Sequence, residues 1–124
     1  MKATREKKQG MNWCFPTTRL AIYHRDGFRC AYCGATLEGG ATLTLDHLTA
    51  VNRGGTNKAT NLITACLSCN SAKQDKPLSS FGEDNARRIR NQARRSLKAS
   101  REWARGFLRE VKTVRAVLDR IIAG

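Results

Sequence analysis

The sequence predicts a small α+β domain with an N-terminal helix and a basic helical extension at its C-terminal end. Leu43 and Leu45 alternate with threonines at a period of two, which is typical of a half-buried strand. From residue 81 to 124, apolar residues recur at helical spacing opposite a basic face. Two Cys-x-x-Cys pairs, at 30–33 and 66–69, lie on either side of the predicted strand. A chain of 124 residues buries only a small core, so we expect these cysteines to stabilise the fold.

The four paired cysteines predict a structural zinc site. Each Cys-x-x-Cys turn can place two sulfurs on one ion, and two such turns complete a tetrahedral set. Two disulfides in a secreted protein are the alternative, but residues 1–10 are charged and no apolar run follows them, so we expect no secretory leader. Folding should then depend on the metal. The zinc ligands are Cys30, Cys33, Cys66 and Cys69.

The charge of the chain predicts a polyanionic partner. The sequence has 23 Lys and Arg against 10 Asp and Glu, a net charge of +13. Nucleic acid is the partner that fits this imbalance best. No stretch approaches the roughly 20 apolar residues that a membrane span requires, so we expect no membrane partner and a soluble, cytoplasmic protein.

A carboxylate and an imidazole stand side by side after the predicted strand. Asp46 can hold a hard divalent cation through oxygen, and His47 can accept a proton from water near neutral pH, so the pair suits metal-assisted hydrolysis. Adjacent residues on a regular strand face opposite sides, so the two share a site only if the strand ends or bends there. Asn61 follows His47 after thirteen residues, and Asn70 follows Asn61 after eight, beside the second cysteine pair.

This ordered set resembles the HNH endonuclease family, in its His-Asn-Asn variant, over residues 19–77. The resemblance includes the lead-in at 23–30, the Arg53-Gly54-Gly55 loop and the ending Asn70-x-x-Lys73. It implies a zinc-bound ββα-metal core in which two strands and a helix surround a catalytic metal. We therefore expect three parts: a basic N-terminal arm at 1–15, the nuclease core at 16–80 and the basic helical extension at 81–124.

The resemblance also implies roles for individual residues. Asp46 and Asn70 would ligate Mg²⁺ or Mn²⁺, His47 would be the general base, and Asn61 would hold the loop that positions the base. Asn70 stands where the family commonly has histidine, and its neutral amide oxygen is compatible with hard Mg²⁺. The function implied is an endonuclease that hydrolyses phosphodiester bonds in DNA.

Two alternatives remain open from the residues. One is a non-catalytic zinc-ribbon DNA-binding protein in which Asp46 and His47 are structural, and the other is an HNH nuclease that acts on RNA. Short standalone nucleases of this family are frequent in phages and mobile elements, so the expected location is the cytoplasm of a bacterial or phage-infected cell. Target sequence, the choice between nicking and double-strand cleavage, and oligomeric state are not encoded in these motifs.

The remaining elements follow from local patterns. We expect the N-terminal helix to end near Arg25, with His24 on its surface. Residues 48–51 can return as a second strand, and residues 70–74 should open a short helix that Pro77 terminates. Trp13 is expected in the core, with stacking on a base as the alternative.

Basic residues in the loop and the extension are candidates for phosphate contacts. The extension has 12 Lys or Arg against 5 Asp or Glu and is expected to form two helices that break at Ser100 or Gly106. It either clamps the DNA backbone or presents a solvated basic face while its apolar stripe packs on the core or on a second subunit. A plain connection is the alternative for the loop. The candidate contacts are Arg53, Lys58, Lys73, Arg87 and Arg94.

Overall fold

The computed structural model of the protein describes residues 13–123, which form a two-stranded sheet and four helices. The α+β class predicted from the sequence is confirmed. Residues 1–12, most of the predicted N-terminal arm, lie outside the described range. The elements in chain order are α1 (Pro16–Arg25), β1 (Leu43–His47), β2 (Leu62–Cys66), α2 (Leu67–Lys73), α3 (Glu83–Ala93) and α4 (Lys98–Ala123), with 3₁₀ turns at Val51–Arg53, Ala59–Asn61 and Leu78–Phe81.

The strands β1 and β2 pair antiparallel, with Leu43 opposite Cys66 and His47 opposite Leu62. The prediction of a second strand at residues 48–51 is wrong, because the chain leaves the sheet after His47. It folds back so tightly at Gly55 that a Cβ there would lie 1.8 Å from the Thr49 carbonyl oxygen. The partner strand, β2, is buried at every position. Its sequence therefore lacks the alternation of apolar and polar residues that identifies a half-buried strand.

The helix α2 follows β2 without a loop and completes the strand, strand and helix core. It begins at Leu67, three residues earlier than predicted, and ends at Lys73. Cys66 caps its first turn, because the Cys66 Sγ accepts a hydrogen bond from the backbone N–H of Cys69. Gln74 then adopts a positive φ of 54°, which stops the helix before Pro77 is reached.

Helices cover both faces of the small sheet. On one side, Leu45 and Leu62 pack against Ile22 of α1 and Ala104 of α4. On the other side, Ile63 packs against α3, whose inward-facing residues are Ala86, Ile89 and Ala93. The extension is therefore part of the core as well as a basic surface.

A buried ion pair at the end of α1 connects these layers. The Arg25 Nε lies 2.8 Å from the Asp26 Oδ1, and neither side chain is more than 2% exposed. Arg25 also donates to the carbonyl oxygens of Leu62 and Ala93, while Asp26 accepts from the backbone N–H of Thr64. Every nitrogen of the Arg25 guanidinium therefore has a hydrogen-bond partner, which offsets the cost of burying both charges.

The predicted extension forms two helices, as expected, but the break lies at residues 94–97 and not at Ser100 or Gly106. Ser100 is buried, and its Oγ lies 2.9 Å from the Nδ1 of His24. Trp103 stacks on the same imidazole at 4.4 Å between ring centroids. The prediction that His24 lies on the helix surface is therefore wrong, because α4 covers it.

The second half of α4 is exposed although its stripe is apolar. The side chains concerned include Val111, Val114, Leu118 and Ile121, and the last is 67% exposed. The stripe packs on the core only in the first turns of α4, around Ser100 and Ala104. Among the described helices, none is both long and apolar enough to cross a membrane.

Candidate active site and metal centre

The two cysteine pairs meet at the start of α2 in the arrangement that a zinc ion requires. Their four Sγ atoms lie within 4.8 Å of one another, and the Sγ atoms of Cys33 and Cys66 are 3.8 Å apart. Zn–S bonds of about 2.3 Å in a tetrahedron place the sulfurs about 3.8 Å apart. All cysteines in the described residues are free thiols, so the disulfide alternative does not apply to them. The cluster consists of Cys30, Cys33, Cys66 and Cys69.

Backbone N–H groups prepare this cluster for negative charge. Tyr32 and Cys33 donate to the Cys30 Sγ, and Cys69 donates to the Cys66 Sγ, at 3.3–3.4 Å. Burial opposes ionisation of Cys30, but hydrogen bonds from the backbone N–H groups of Cys66, Cys33 and Tyr32 lower its pKa overall. Burial and the neighbouring thiols raise the pKa of Cys69. A bound zinc ion would ionise these ligands, because a coordinating thiol loses its proton.

His47 is the last residue of β1, and its ring is oriented by two neighbours. The Nε2 lies 2.7 Å from the Oδ1 of Asn57, and the Trp13 ring lies 4.8 Å away between centroids. An amide oxygen can only accept a hydrogen bond, so this contact favours the tautomer with the proton on Nε2 and the lone pair on Nδ1. Within residues 13–123, Nδ1 makes no hydrogen bond. In that tautomer, Nδ1 is the ring atom that can accept a proton.

Asp46 contacts different residues from those that contact His47. Its Oδ2 accepts a hydrogen bond from the Tyr32 hydroxyl and lies 3.3 Å from the Nζ of Lys73. Burial raises the pKa of Asp46, while the Tyr32 hydrogen bond and the Lys73 charge act in the opposite direction. A carboxylate offers about four acceptor positions, so these two contacts leave room for a further ligand.

The prediction that Lys73 contacts nucleic acid needs correction. Lys73 is only 1% exposed, and its ammonium group faces Asp46 and the backbone carbonyl oxygen of His47. A lysine at the end of a short polar helix is usually solvated, and nothing in the local sequence distinguishes this one. Its contact links the end of α2 to the end of β1, directly beneath the candidate site.

Asn70 is positioned by its amide nitrogen. The Nδ2 donates to the Thr44 hydroxyl at 2.8 Å and to the Leu45 carbonyl oxygen at 3.2 Å. Both contacts fix the orientation of the amide, and the Oδ1 makes no hydrogen bond to any described residue. A neutral oxygen acceptor is thus available on the side of α2 that faces β1.

Asn61 stabilises the loop between the strands. Its Oδ1 accepts from the backbone N–H of Thr49, while its Nδ2 donates to the carbonyl oxygens of Thr49 and Thr56. The side chain thereby joins the two ends of the turn that precedes Asn57. Because Asn57 holds the His47 ring, Asn61 acts on the imidazole through one intervening residue.

A cavity of about 780 Å³ brings most of these groups together. Asp46, His47 and Asn70 line it, whereas Asn61 and the four cysteines do not. Trp13 and Arg19 are also part of the wall, and neither was among the site residues predicted from the sequence. Asn57 was also missed, because a single asparagine in a polar loop carries no local signal.

The predicted phosphate contacts differ in their position. Arg53 and Lys58 are exposed on the loop between the strands, beside residues that line the cavity or hold His47. Arg87 and Arg94 are exposed on α3 and at its end, and Arg87 forms a solvent-exposed ion pair with Asp84 at 3.2 Å. Four of the five candidates are therefore accessible to a partner, and Lys73 is the exception.

Comparison with known proteins identifies the central segment. Residues 30–76 match the family model described as HNH endonuclease, from the first cysteine to just beyond α2. None of the curated proteins compared with the chain matches it. The match contains all four thiols of the cluster as well as Asp46, His47 and Asn70. The resemblance to the HNH endonuclease family drawn from the sequence is confirmed over residues 30–76, which match the model of that family.

Proposed function

We propose that the protein is a metal-dependent endonuclease that hydrolyses phosphodiester bonds in DNA. The observation that carries the proposal is the contact of the His47 Nε2 with the Asn57 Oδ1 at 2.7 Å, which leaves Nδ1 as the ring atom that can accept a proton. An imidazole held in this way is suited to accept a proton from water near neutral pH. The domain match supplies the nuclease class, and the net charge of +13 favours a polyanionic substrate.

In this mechanism, the Nδ1 of His47 takes the proton of the attacking water. Asn57 stabilises the resulting imidazolium through its Oδ1, and Asn61 keeps that loop in place. Trp13 covers one face of the ring and limits its rotation. A divalent cation, Mg²⁺ or Mn²⁺, held by Asp46 and Asn70 would neutralise charge on the phosphate and on the leaving oxygen.

The residues present fit a hard cation. Asn70 offers an Oδ1 with no hydrogen-bond partner among the described residues, and Asp46 is a carboxylate in the wall of the same cavity. Both are oxygen donors of the kind that Mg²⁺ binds. The cation would share the Asp46 carboxylate with Lys73, which lies 3.3 Å away.

That same contact favours the second candidate function. If Asp46 serves only as the buried partner of Lys73 and Tyr32, the site has no charged ligand for a cation. The protein would then be a zinc-ribbon module that binds DNA without cutting it. Either function suits the nucleic-acid-rich cytoplasm of a bacterial or phage-infected cell.

Metal titration of cleavage separates these functions. Plasmid DNA and a structured RNA are incubated with the parent and with Asp46→Ala, Asn70→Ala and the control Asn91→Ala, which alters an exposed amide on α3. We expect cleavage of DNA only with added Mg²⁺ or Mn²⁺, and a higher metal midpoint for the two ligand variants alone. Cleavage of RNA but not DNA would mean that the substrate is RNA. A parent that cuts neither with any divalent cation would favour the binding module.

A further inference from the structure

Arg19 on α1 lies in the cavity wall and forms no ion pair with any residue between 13 and 123. Its Nη1 donates to the Tyr23 hydroxyl at 3.2 Å, and its guanidinium carbon lies 5.5 Å from the centre of the Trp13 ring. Its Nη2 is buried and has no hydrogen-bond partner in the described part of the chain.

A buried guanidinium nitrogen without a partner is uncommon in folded proteins. Such a group calls for a partner, which can be a water molecule, an ion or a ligand. Arg19 shares its cavity with His47 and Asn70, so a ligand at this position would also touch the proposed catalytic residues. An anionic ligand suits this position best, because arginine has donors only and carries a positive charge.

We propose that Arg19 binds the non-bridging oxygens of the phosphate that is cleaved. The inference rests on the proposed function for its substrate class and adds a residue that lies outside the matched segment 30–76. The planar guanidinium can present two parallel N–H groups to a phosphate, which fixes the phosphate as well as attracting it. Charge that develops on these oxygens during the reaction is stabilised by the same contact.

The side chain can reach a phosphate at small cost. Because Nη2 makes no hydrogen bond to residues 13–123, turning the guanidinium into the cavity breaks, within that range, the contact of Nη1 with Tyr23 and the packing on Trp13. Trp13 packs against both Arg19 and His47, so the two groups share one wall. The phosphate held by Arg19 would therefore lie next to the base.

The first test measures DNA affinity as a function of salt, without added divalent metal, so that cleavage plays no part. Each phosphate contact contributes about 0.9 to the slope of log affinity against log salt. We expect Arg19→Gln to lower the slope by about this amount and Arg19→Lys to preserve it. The control is Arg120→Gln, which removes the same charge near the far end of α4 and should leave the slope unchanged.

A second readout is local to the cavity. The chain has two tryptophans, so in a Trp103→Phe background the emission comes from Trp13 alone. Titration with a 12-base-pair duplex should change this emission when Arg19 is present. The change should be absent in the variant that also carries Arg19→Gln.

The third readout is steady-state cleavage with Mg²⁺, measured as kcat and KM. Loss of a donor to the reacting phosphate typically costs about 10²-fold or more in rate. We expect Arg19→Gln to lower kcat by that factor with a smaller change in KM. We also expect Arg19→Lys to be slow although it keeps the charge, because an ammonium group lacks the planar fork. Zinc content and circular dichroism check that each variant is folded.

These experiments distinguish a failure of the Arg19 inference from a failure of the proposed nuclease function. A folded Arg19→Gln protein with the salt slope and Trp13 response of the parent overturns the inference, whether or not the parent cleaves DNA. A slope loss equal to that of Arg120→Gln also overturns it, because the effect would be long-range charge alone. If the parent cleaves and Arg19→Gln keeps its kcat, Arg19 does not touch the reacting phosphate.

Discussion

Replacing Lys73 by methionine tests whether the buried pair beneath the site stabilises the fold. The two side chains are 1% and 5% exposed, and the Lys73 Nζ lies 3.3 Å from the Asp46 Oδ2. Methionine fills similar space without charge, so among the described residues the change leaves the buried Asp46 carboxylate with Tyr32 as its one remaining side-chain partner. Removing one member of a buried pair costs about 3–5 kcal/mol of unfolding free energy. For a chain of this size, that corresponds to a fall in Tm of roughly 10–20 °C.

The assay is thermal unfolding of the zinc-loaded protein with a double-mutant cycle. Asp46→Asn alone strands the Lys73 charge, whereas Lys73→Met with Asp46→Asn removes both charges. The double variant should therefore be more stable than the sum of the single changes implies, by on the order of 1–3 kcal/mol. Lys98→Met, at an exposed position of α4, is the matched control and should change Tm little.

The effect of Lys73→Met should also depend on pH. Burial already holds the folded pKa of Asp46 above its ordinary value. As the pH falls through that folded pKa, the carboxyl becomes neutral and no longer needs a cation beside it, so the cost of Lys73→Met should shrink. A fall in Tm of less than about 2 °C at neutral pH, or strict additivity in the cycle, would refute the structural role of the pair.

Three further outcomes follow from the structure. Cys69→Ser should lose zinc and unfold the core, and a folded, zinc-free parent in metal analysis would contradict this. Asn57→Ala should slow DNA cleavage roughly tenfold while zinc content stays unchanged, because the His47 tautomer is no longer fixed; an unchanged rate would remove Asn57 from the site. If α3 grips phosphates, Arg87→Gln with Arg94→Gln should lower the salt slope of DNA binding by about 1–2, whereas an equal slope would leave these arginines as a solvated face.

The sequence was most informative where chemistry fixes local spacing. Two turns of the form Cys-x-x-Cys can each hold one metal through their own geometry, so the four-cysteine cluster was predictable from residue identity alone. The resemblance to the HNH endonuclease family drew attention to Asp46, His47 and Asn70, and the fold places all three in one cavity wall. The two-helix extension was predictable because its apolar stripe continues over many turns.

Contacts between distant residues were not predictable in the same way. Strand β2 pairs with β1 across a loop, and its continuous apolar run is compatible with either a buried strand or a buried helix. Lys73 ends a polar helix, and only the fold reveals Asp46 beside it, 27 residues away in the chain. Asn57 and Arg19 belong to a loop and a helix with no motif. Only the fold shows that Asn57 contacts His47 and that Arg19 lines the same cavity.

Cleavage of plasmid DNA by His47→Ala, compared with the parent in Mg²⁺, tests the central claim most directly. If His47 takes the proton from water, its loss should lower the cleavage rate by on the order of 10²–10⁴-fold. Zinc content and DNA affinity should stay at the parent's values, because His47 lies outside the cysteine cluster. A folded, zinc-loaded His47→Ala protein that cleaves DNA as fast as the parent would contradict the assignment of His47 as the base.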